Sequence, residues 1–292
     1  MGAALHYLGE VFVLNIRIKF QKSGAMKFIG HLDMMRYFQK AIRRAGIDIT
    51  YTGGYSPHQV MSFAAPLGVG ITSDGEYFDI EVISTKSSQE SLEALNQVMV
   101  EGISILEYRR LPDMAKTSMS LVAAADYLIY EKPGYKPFFA SQEELSRKIQ
   151  EFYQGQKEII ITKQTKKNLI EMDLKRLIYQ MEAVSLDKRS LDPAPPAGFG
   201  ISLRACTGSS DNVKPELVLE AFCNFLNLSY HPLRFQTHRQ EVYAKTEDIP
   251  VKGEQEQKKY QKYLKQLREA CEKEQKAFPE FLPLGELGED IP

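Results

Sequence analysis

Residues 11–20 read VFVLNIRIKF, alternating apolar and polar positions in their second half with many β-branched side chains, which predicts a strand ending at the turn signal Gln21-Lys22-Ser23-Gly24. The period then changes. Met34, Met35, Phe38, Ala41, Ile42 and Ala45 recur at helical spacing, so residues 31–45 are expected to form an amphipathic helix stopped by Gly46. Extended segments are predicted at 47–51, 60–63 and 76–83, then a helix near 89–100 and a strand at 103–109. This βαββαβ order, with an elaborated hairpin between its middle strands, predicts a ferredoxin-like arrangement: an antiparallel sheet with both helices on one face.

The second half repeats the rhythm: a strand at 121–130, a helix at 141–153, strands at 158–162, 178–184 and 200–206, a helix at 215–227 and a strand at 234–243. The expected fold class is therefore α+β, with tandem ferredoxin-like domains at 1–112 and 113–248, antiparallel sheets, and a C-terminal charged helical tail at 249–292. The stretch Asp192-Pro-Ala-Pro-Pro-Ala-Gly198 reads as a stiff hairpin excursion rather than a linker. Between 251 and 278 a run of Lys, Glu and Gln carries Tyr260, Tyr263, Leu264, Leu267 and Ala270, a solvated helix with a thin apolar seam.

With 292 residues, 43% of them apolar, the chain can bury the cores of two ordinary domains. Its formal net charge of -1 excludes a protein that is basic throughout, so any nucleic-acid surface must be a local patch. Cys206, Cys223 and Cys271 match neither a metal clip nor an iron–sulfur loop, so no cofactor is expected on this chain itself. The first residues lack a basic stretch followed by a long apolar run, and no later segment is long and apolar enough to span a bilayer; the expected location is cytoplasmic.

Charge is strongly polarised along the first half. Residues 17–58 hold eight basic side chains against Asp33 and Asp48, a net +6, whereas residues 70–107 hold eight acids against Lys86, a net −7. On a helical wheel Arg36, Lys40, Arg43 and Arg44 lie opposite the Phe38/Ile42 stripe, a basic ridge suited to a phosphate backbone or, equally, an ordinary solvated face. Lys22 and Lys27 extend the positive region toward the helix N-terminus, and Lys163, Lys166, Lys167, Lys175 and Arg176 add a second basic stretch.

His31 opens the helix on its core-facing line, either fixing the helix start or facing a pocket; Asp33 suits the first turn and can pair with Arg36. His58 sits in a loop with Gly53, Gly54, Tyr55 and Pro57, ahead of Ser62. His31, Asp33, Tyr55, His58 and Ser62 are the candidate pocket residues, and His31 and His58 the candidate catalytic pair, as two histidines can run acid–base cleavage of RNA. No nucleotide-binding loop or activated-nucleophile motif is present; His231 and His238 lack zinc-site partners, so no metal site is expected.

The runs Phe20-Gln-Lys-Ser-Gly24, Lys27-Phe-Ile-Gly-His-Leu-Asp-Met-Met-Arg36, Arg43-Arg44-Ala45, Tyr55-Ser-Pro-His58, Ser62-Phe63-Ala-Ala-Pro-Leu-Gly68 and Gly75-Glu-Tyr-Phe-Asp79 resemble the bacterial radical SAM-associated (radical SAM-linked) family. That family is a domain of unknown function found beside, or fused to, cobalamin-binding radical SAM proteins. The resemblance covers roughly residues 12–220, with Gly54-Tyr55-Ser56-Pro57 where members often carry Gly-Phe-Asn-Pro. It implies a cobalamin-binding radical SAM protein as partner, this chain being the accessory component. The expected function is an RNA-binding accessory protein that presents a structured RNA, with Lys22, Lys27, Arg36, Lys40, Arg43 and Arg44 as phosphate contacts. The alternatives are a metal-independent RNA endonuclease using His31 and His58, or a purely protein-binding subunit.

Overall fold

The computed structural model describes residues 13–112, 115–164, 168–186, 191–208, 211–248, 254–274 and 277–292. Residues 11–12, 251–253 and 275–276, which belong to the strand and tail helix expected from the sequence, lie outside them. The first half runs β1 (Leu14–Lys22), α1 (His31–Arg44), β2 (Asp48–Ile49), β3 (Met61–Phe63), β4 (Thr72–Ser84), α2 (Ser88–Asn96) and β5 (Ile103–Arg110). After the short α3 (Ser118–Leu121) come β6 (Val122–Glu131), α4 (Gln142–Ile149), the hairpin β7 (Ile160–Gln164) and β8 (Leu169–Asp173), then β9 (Ile178–Ser185), β10 (Phe199–Cys206), α5 (Pro215–Phe225) and β11 (Phe235–Lys245). The chain closes with α6 (Glu254–Lys273) and β12 (Phe281–Pro283).

The fold is mixed α and β around a mostly antiparallel sheet. Two separate sheets were expected; instead ten strands join in one, along the path β5-β1-β4-β11-β6-β10-β9, with β2 and β3 added to β4 and β12 to β11. The junction lies on β4. One edge of this 13-residue strand pairs antiparallel with β1; the other is shared by β2 at Val82 and Ser84, by β3 at residues 78–80, and by β11, in parallel, at Thr72 and Ser73. At about 3.3 Å per residue, β4 is long enough to carry all three in succession. Gly75 marks the crossing: a Cβ there would sit 2.6 Å from the Gln240 carbonyl oxygen and from the Glu241 Cα, so only glycine lets the two backbones approach.

The alternation that announced the strands also sorts the core. Ile16, Ile18 and Phe20 on β1 and Phe78, Ile80 and Val82 on β4 form one face, on which Met34, Phe38 and Ile42 of α1 and Leu95 of α2 pack. Phe20, Phe38, Phe63 and Phe78 meet at centroid separations from 4.7 to 6.2 Å, and their rings set the height of α1 over the sheet. A second core gathers β6, β9, β10 and β11 under α4 and α5, through Tyr127, Ile129, Leu203, Leu145, Phe152 and Phe222 among others. The proline-rich stretch is a hairpin excursion, joining the antiparallel neighbours β9 and β10.

Two elements depart from the expected tail and loops. Beyond α6 the chain is not a charged appendage: Phe281, Leu282 and Leu284 are buried, and β12 pairs with β11. Residues 277–292 then reach the first half, where Glu289 bridges Arg110 and the backbone of Ile291 exchanges hydrogen bonds with Ser88. The segment expected as a lone strand at 158–162 is half of the β7–β8 hairpin, which forms its own two-stranded sheet. Gly75→Ala is expected to cost about 1–3 kcal/mol, because overpacking at a backbone contact has no side chain to displace; a urea melt measures it, and an unchanged midpoint would contradict the crossing geometry.

Candidate nucleic-acid interface

Helix α1 begins at Gly30, whose extended backbone (φ -73°, ψ 165°) caps it without a side chain, and ends where Gly46 turns with φ +70°. Burial of Met34, Phe38, Ala41 and Ile42 fixes its rotation, leaving Arg36, Lys40, Arg43 and Arg44 exposed. Arg36 meets Asp33 at 3.3 Å, both side chains 69% exposed, so solvent screens the pair and it holds little. Arg44 donates to the Val98 carbonyl at 3.2 Å, and on the same flank the Tyr37 hydroxyl accepts from Val100 N–H at 2.9 Å. Lys40 and Arg43 have no ion pair among the described residues.

On the other flank stands the loop 51–59, closed by the Tyr51–Gln59 bridge and tied to the helix where Gln59 donates to the Gln39 carbonyl at 3.2 Å. His58 is exposed; its Nδ1 lies 3.0 Å from Thr52 Oγ1, which also accepts the His58 backbone N–H. Tyr55 projects from the loop tip, fully exposed. His31 is half-buried at the helix start, its ring edge-on to Phe63 at 5.3 Å. Gln39 and His31, the helix positions beside these two contacts, are eight residues apart, about 12 Å of helix rise. The candidate catalytic histidines make different contacts, His31 with the Phe63 ring and His58 with Thr52. Asp33 pairs with Arg36 on the outer face, and Ser62 stands opposite Asp79 in the sheet.

Lys22 requires a correction. It ends β1 rather than sitting in a loop, is 3% exposed, and donates to the Ile29 carbonyl at 2.7 Å, so it fixes the approach to α1 and is not a phosphate contact. Desolvation lowers its pKa, with the Glu76 charge opposing and that of Arg239 adding to the shift. Lys27 remains at the foot of α1, half-buried, with its Nζ 5.5 Å from the Phe28 ring centroid. Of the second basic stretch, Lys175 and Arg176 lie in a turn beside Asp173, Lys163 is half-buried on β7, and Lys166 and Lys167 lie outside the described residues.

The seam between the halves holds a layer of buried charge that single-strand alternation gave no means to find. Arg239 on β11 pairs with Glu76 on β4 at 2.5 and 2.8 Å and donates to the Ala65 carbonyl at 2.6 Å. Arg17 grips Asp79 in a bidentate pair at 2.8 and 3.0 Å and reaches the Leu284 carbonyl at 3.1 Å. His238 bridges Thr72 Oγ1 at 2.9 Å and Asp74 at 3.0 Å. Burial opposes ionisation of Asp74, but hydrogen bonds from His238 and Gln21 outweigh it and hold the carboxyl below its usual range. Arg239 also lines an open cleft of about 810 Å³ between the loop 64–69, Met119, the end of β7 and the start of α5.

Among the described residues no group of three or more His, Cys, Asp or Glu side chains is placed to hold a metal ion, all three cysteines are free, and no helix is long and apolar enough to cross a membrane. The model of a family described as an uncharacterized protein conserved in bacteria (DUF2344) matches residues 15–215, from β1 to the start of α5. The chain belongs to that family. This DUF2344 member has no match among curated proteins. It is similar to the crystal structure of an unknown protein from Galdieria sulphuraria at 14% identity, over 79% of this chain and 99% of that one, with a TM-score of 0.22.

Removing one partner of the buried pair strands the other's charge: Arg239→Met is expected to cost about 3–5 kcal/mol, and Arg239→Met combined with Glu76→Leu to recover most of it. Urea unfolding of the single and double variants checks this. Asp74, with its carboxyl held low, stabilises the fold above the ordinary carboxylate pKa, and that contribution fades as pH falls through the depressed value. Asp74→Asn should therefore flatten the acid limb of the stability–pH curve.

Proposed function

We propose that this chain is a cytoplasmic RNA-binding accessory protein that presents a structured RNA to a cobalamin-binding radical SAM partner. The observation that carries the reading is the outer edge of α1. Arg36, Lys40 and Arg43 stand exposed within two turns, Lys40 and Arg43 have no ion pair among the described residues, and Lys27 lies at the foot of the same helix. Cations so placed release counterions when a phosphate backbone lies along them, and that release drives association. The partnership is supported by the motif resemblance around Gly30-His31-Leu32-Asp33 and Tyr55-Ser56-Pro57-His58. The strand order also supports reading each half as a ferredoxin-like unit: fourth, first, third, second in β11-β6-β10-β9, and the same in β5-β1-β4 once β2 and β3 count as one broken second strand. Nothing in the placement of His31 and His58 favours the endonuclease alternative.

The test is filter binding of labelled transfer RNA and ribosomal RNA fragments across a salt series. Binding should weaken as salt rises, and Arg43→Glu with Arg44→Glu should cut affinity at least about tenfold and reduce the salt slope by about two. Absence of RNA binding, or an affinity and slope untouched by the double variant, overturns the reading. Lys22→Met is the internal control, with a slope equal to that of the unaltered protein.

A further inference from the structure

We infer that the RNA segment bound along α1 is unpaired, its bases stacking on aromatic rings that flank the cationic ridge. The inference rests on the RNA-binding reading and names the substrate class for it. Five aromatic side chains are prominently exposed among the described residues, Phe28, Tyr51, Tyr55, Tyr179 and Phe225, and the first three stand around α1.

Their placement follows from the backbone. Tyr51 and Gln59 are directly opposed in an antiparallel bridge, so their side chains share one face, and Gln59 reaches α1 from that face at Gln39. Tyr51, 52% exposed, therefore looks toward the helix rather than away from it. Gln39 lies one turn from both Arg36 and Arg43 on the helix surface, so the loop that carries Tyr51 and Tyr55 borders the ridge itself. At the other end Phe28, 63% exposed, closes the 3-10 turn Gly24–Phe28 immediately before α1, with the Lys27 ammonium beside its ring. Leu32, one helical turn before Arg36, is 62% exposed between them.

A row of cations bordered by bare rings suits one kind of nucleic acid. In an RNA duplex the base faces are stacked on one another and the major groove is too narrow for a helix, so the three rings would meet only ribose and phosphate. In an unpaired strand the phosphates follow the cations while the bases turn outward onto the rings, a contact open to any base because each has a π-face. The rings leave most of their surface to solvent: Tyr55 is fully exposed, Phe28 63% and Tyr51 52%.

The experiment compares a labelled unstructured oligoribonucleotide with a stable RNA duplex of equal length by fluorescence anisotropy across a salt series. The unaltered protein, Tyr55→Ala, Tyr51→Ala, Phe28→Ala and the Arg43→Glu with Arg44→Glu variant are compared. The unpaired strand should bind at least about tenfold more tightly than the duplex. Each ring deletion should weaken it about 5- to 100-fold with the salt slope unchanged, whereas the arginine variant lowers the slope, and Tyr55→Phe should restore binding. Equal binding of strand and duplex, or ring variants that bind like the unaltered protein, overturns the stacking inference and leaves the RNA-binding reading standing. Binding of neither RNA overturns both.

Discussion

The outer edge of β4 is the constraint on which the rest of the molecule depends. A strand edge offers one row of hydrogen-bonding groups, and here that row is divided among β2, β3 and β11, so the first half completes its sheet and meets the second half on the same strand. The parallel contact with β11 is only two residues long, at Thr72 and Ser73. Beyond Gly75 the ladder gives way to side chains: Glu76 clasps Arg239, and Glu241 accepts from both Tyr77 and Lys19. Burial beside that carboxylate pushes the Tyr77 hydroxyl far up, which keeps it a donor. These polar contacts join the halves beside a shared apolar patch, where Ala64 and Tyr77 of the first half pack into the second core, and the open cleft lies where the loop 64–69 leaves β3 to reach that junction.

The exposed ridge inherits its position from the same strand. Phe78 on β4 stacks on Phe63 and packs against Phe38, so the rotation of α1, and with it the direction of Arg36, Lys40 and Arg43, is set from below by aromatic contacts rather than by ion pairs on the surface. The loop that flanks the ridge is anchored twice over, through β3 to β4 and through Gln59 to the helix. Charge segregation follows from this arrangement. Lys27, Arg36, Lys40, Arg43 and Arg44 collect on α1 and its approach and Arg17 and Lys19 enter ion pairs on β1, while Glu90 and Glu93 face solvent on α2 and Glu76 and Asp79 enter the buried pairs of β4.

Local periodicity made most of the elements legible. The stripe Met34, Phe38, Ala41, Ile42 has one structural solution, and both helix ends carry glycine signals, so α1 and its exposed ridge could be read from the sequence almost to the residue. What the sequence hid was set by distant partners. Arg17 and Lys19 alternate with Ile16, Ile18 and Phe20 as a solvent face would, yet Arg17 is covered by groups 99 and 267 positions away. Lys22 looked like part of a basic loop because nothing in its neighbours announced that β1 would continue through it or that the Ile29 carbonyl would turn back to accept its hydrogen bond. The three-residue β12 is shorter than any period, so periodicity could not announce it.

The segment 277–292 gives the chain an order of events. The Arg17–Asp79 pair in the first half is capped by the Leu284 carbonyl, Arg110 is bridged by Glu289, and the first turn of α2 is tied to Ile291. A ribosome adding about 5–20 residues per second finishes β5 on the order of ten seconds or more before it makes these groups. Throughout that interval the first half has every residue of its apolar core but an unsealed charged back face. Its completion is a late event in synthesis, timed by the arrival of the distal strap rather than by its own sequence.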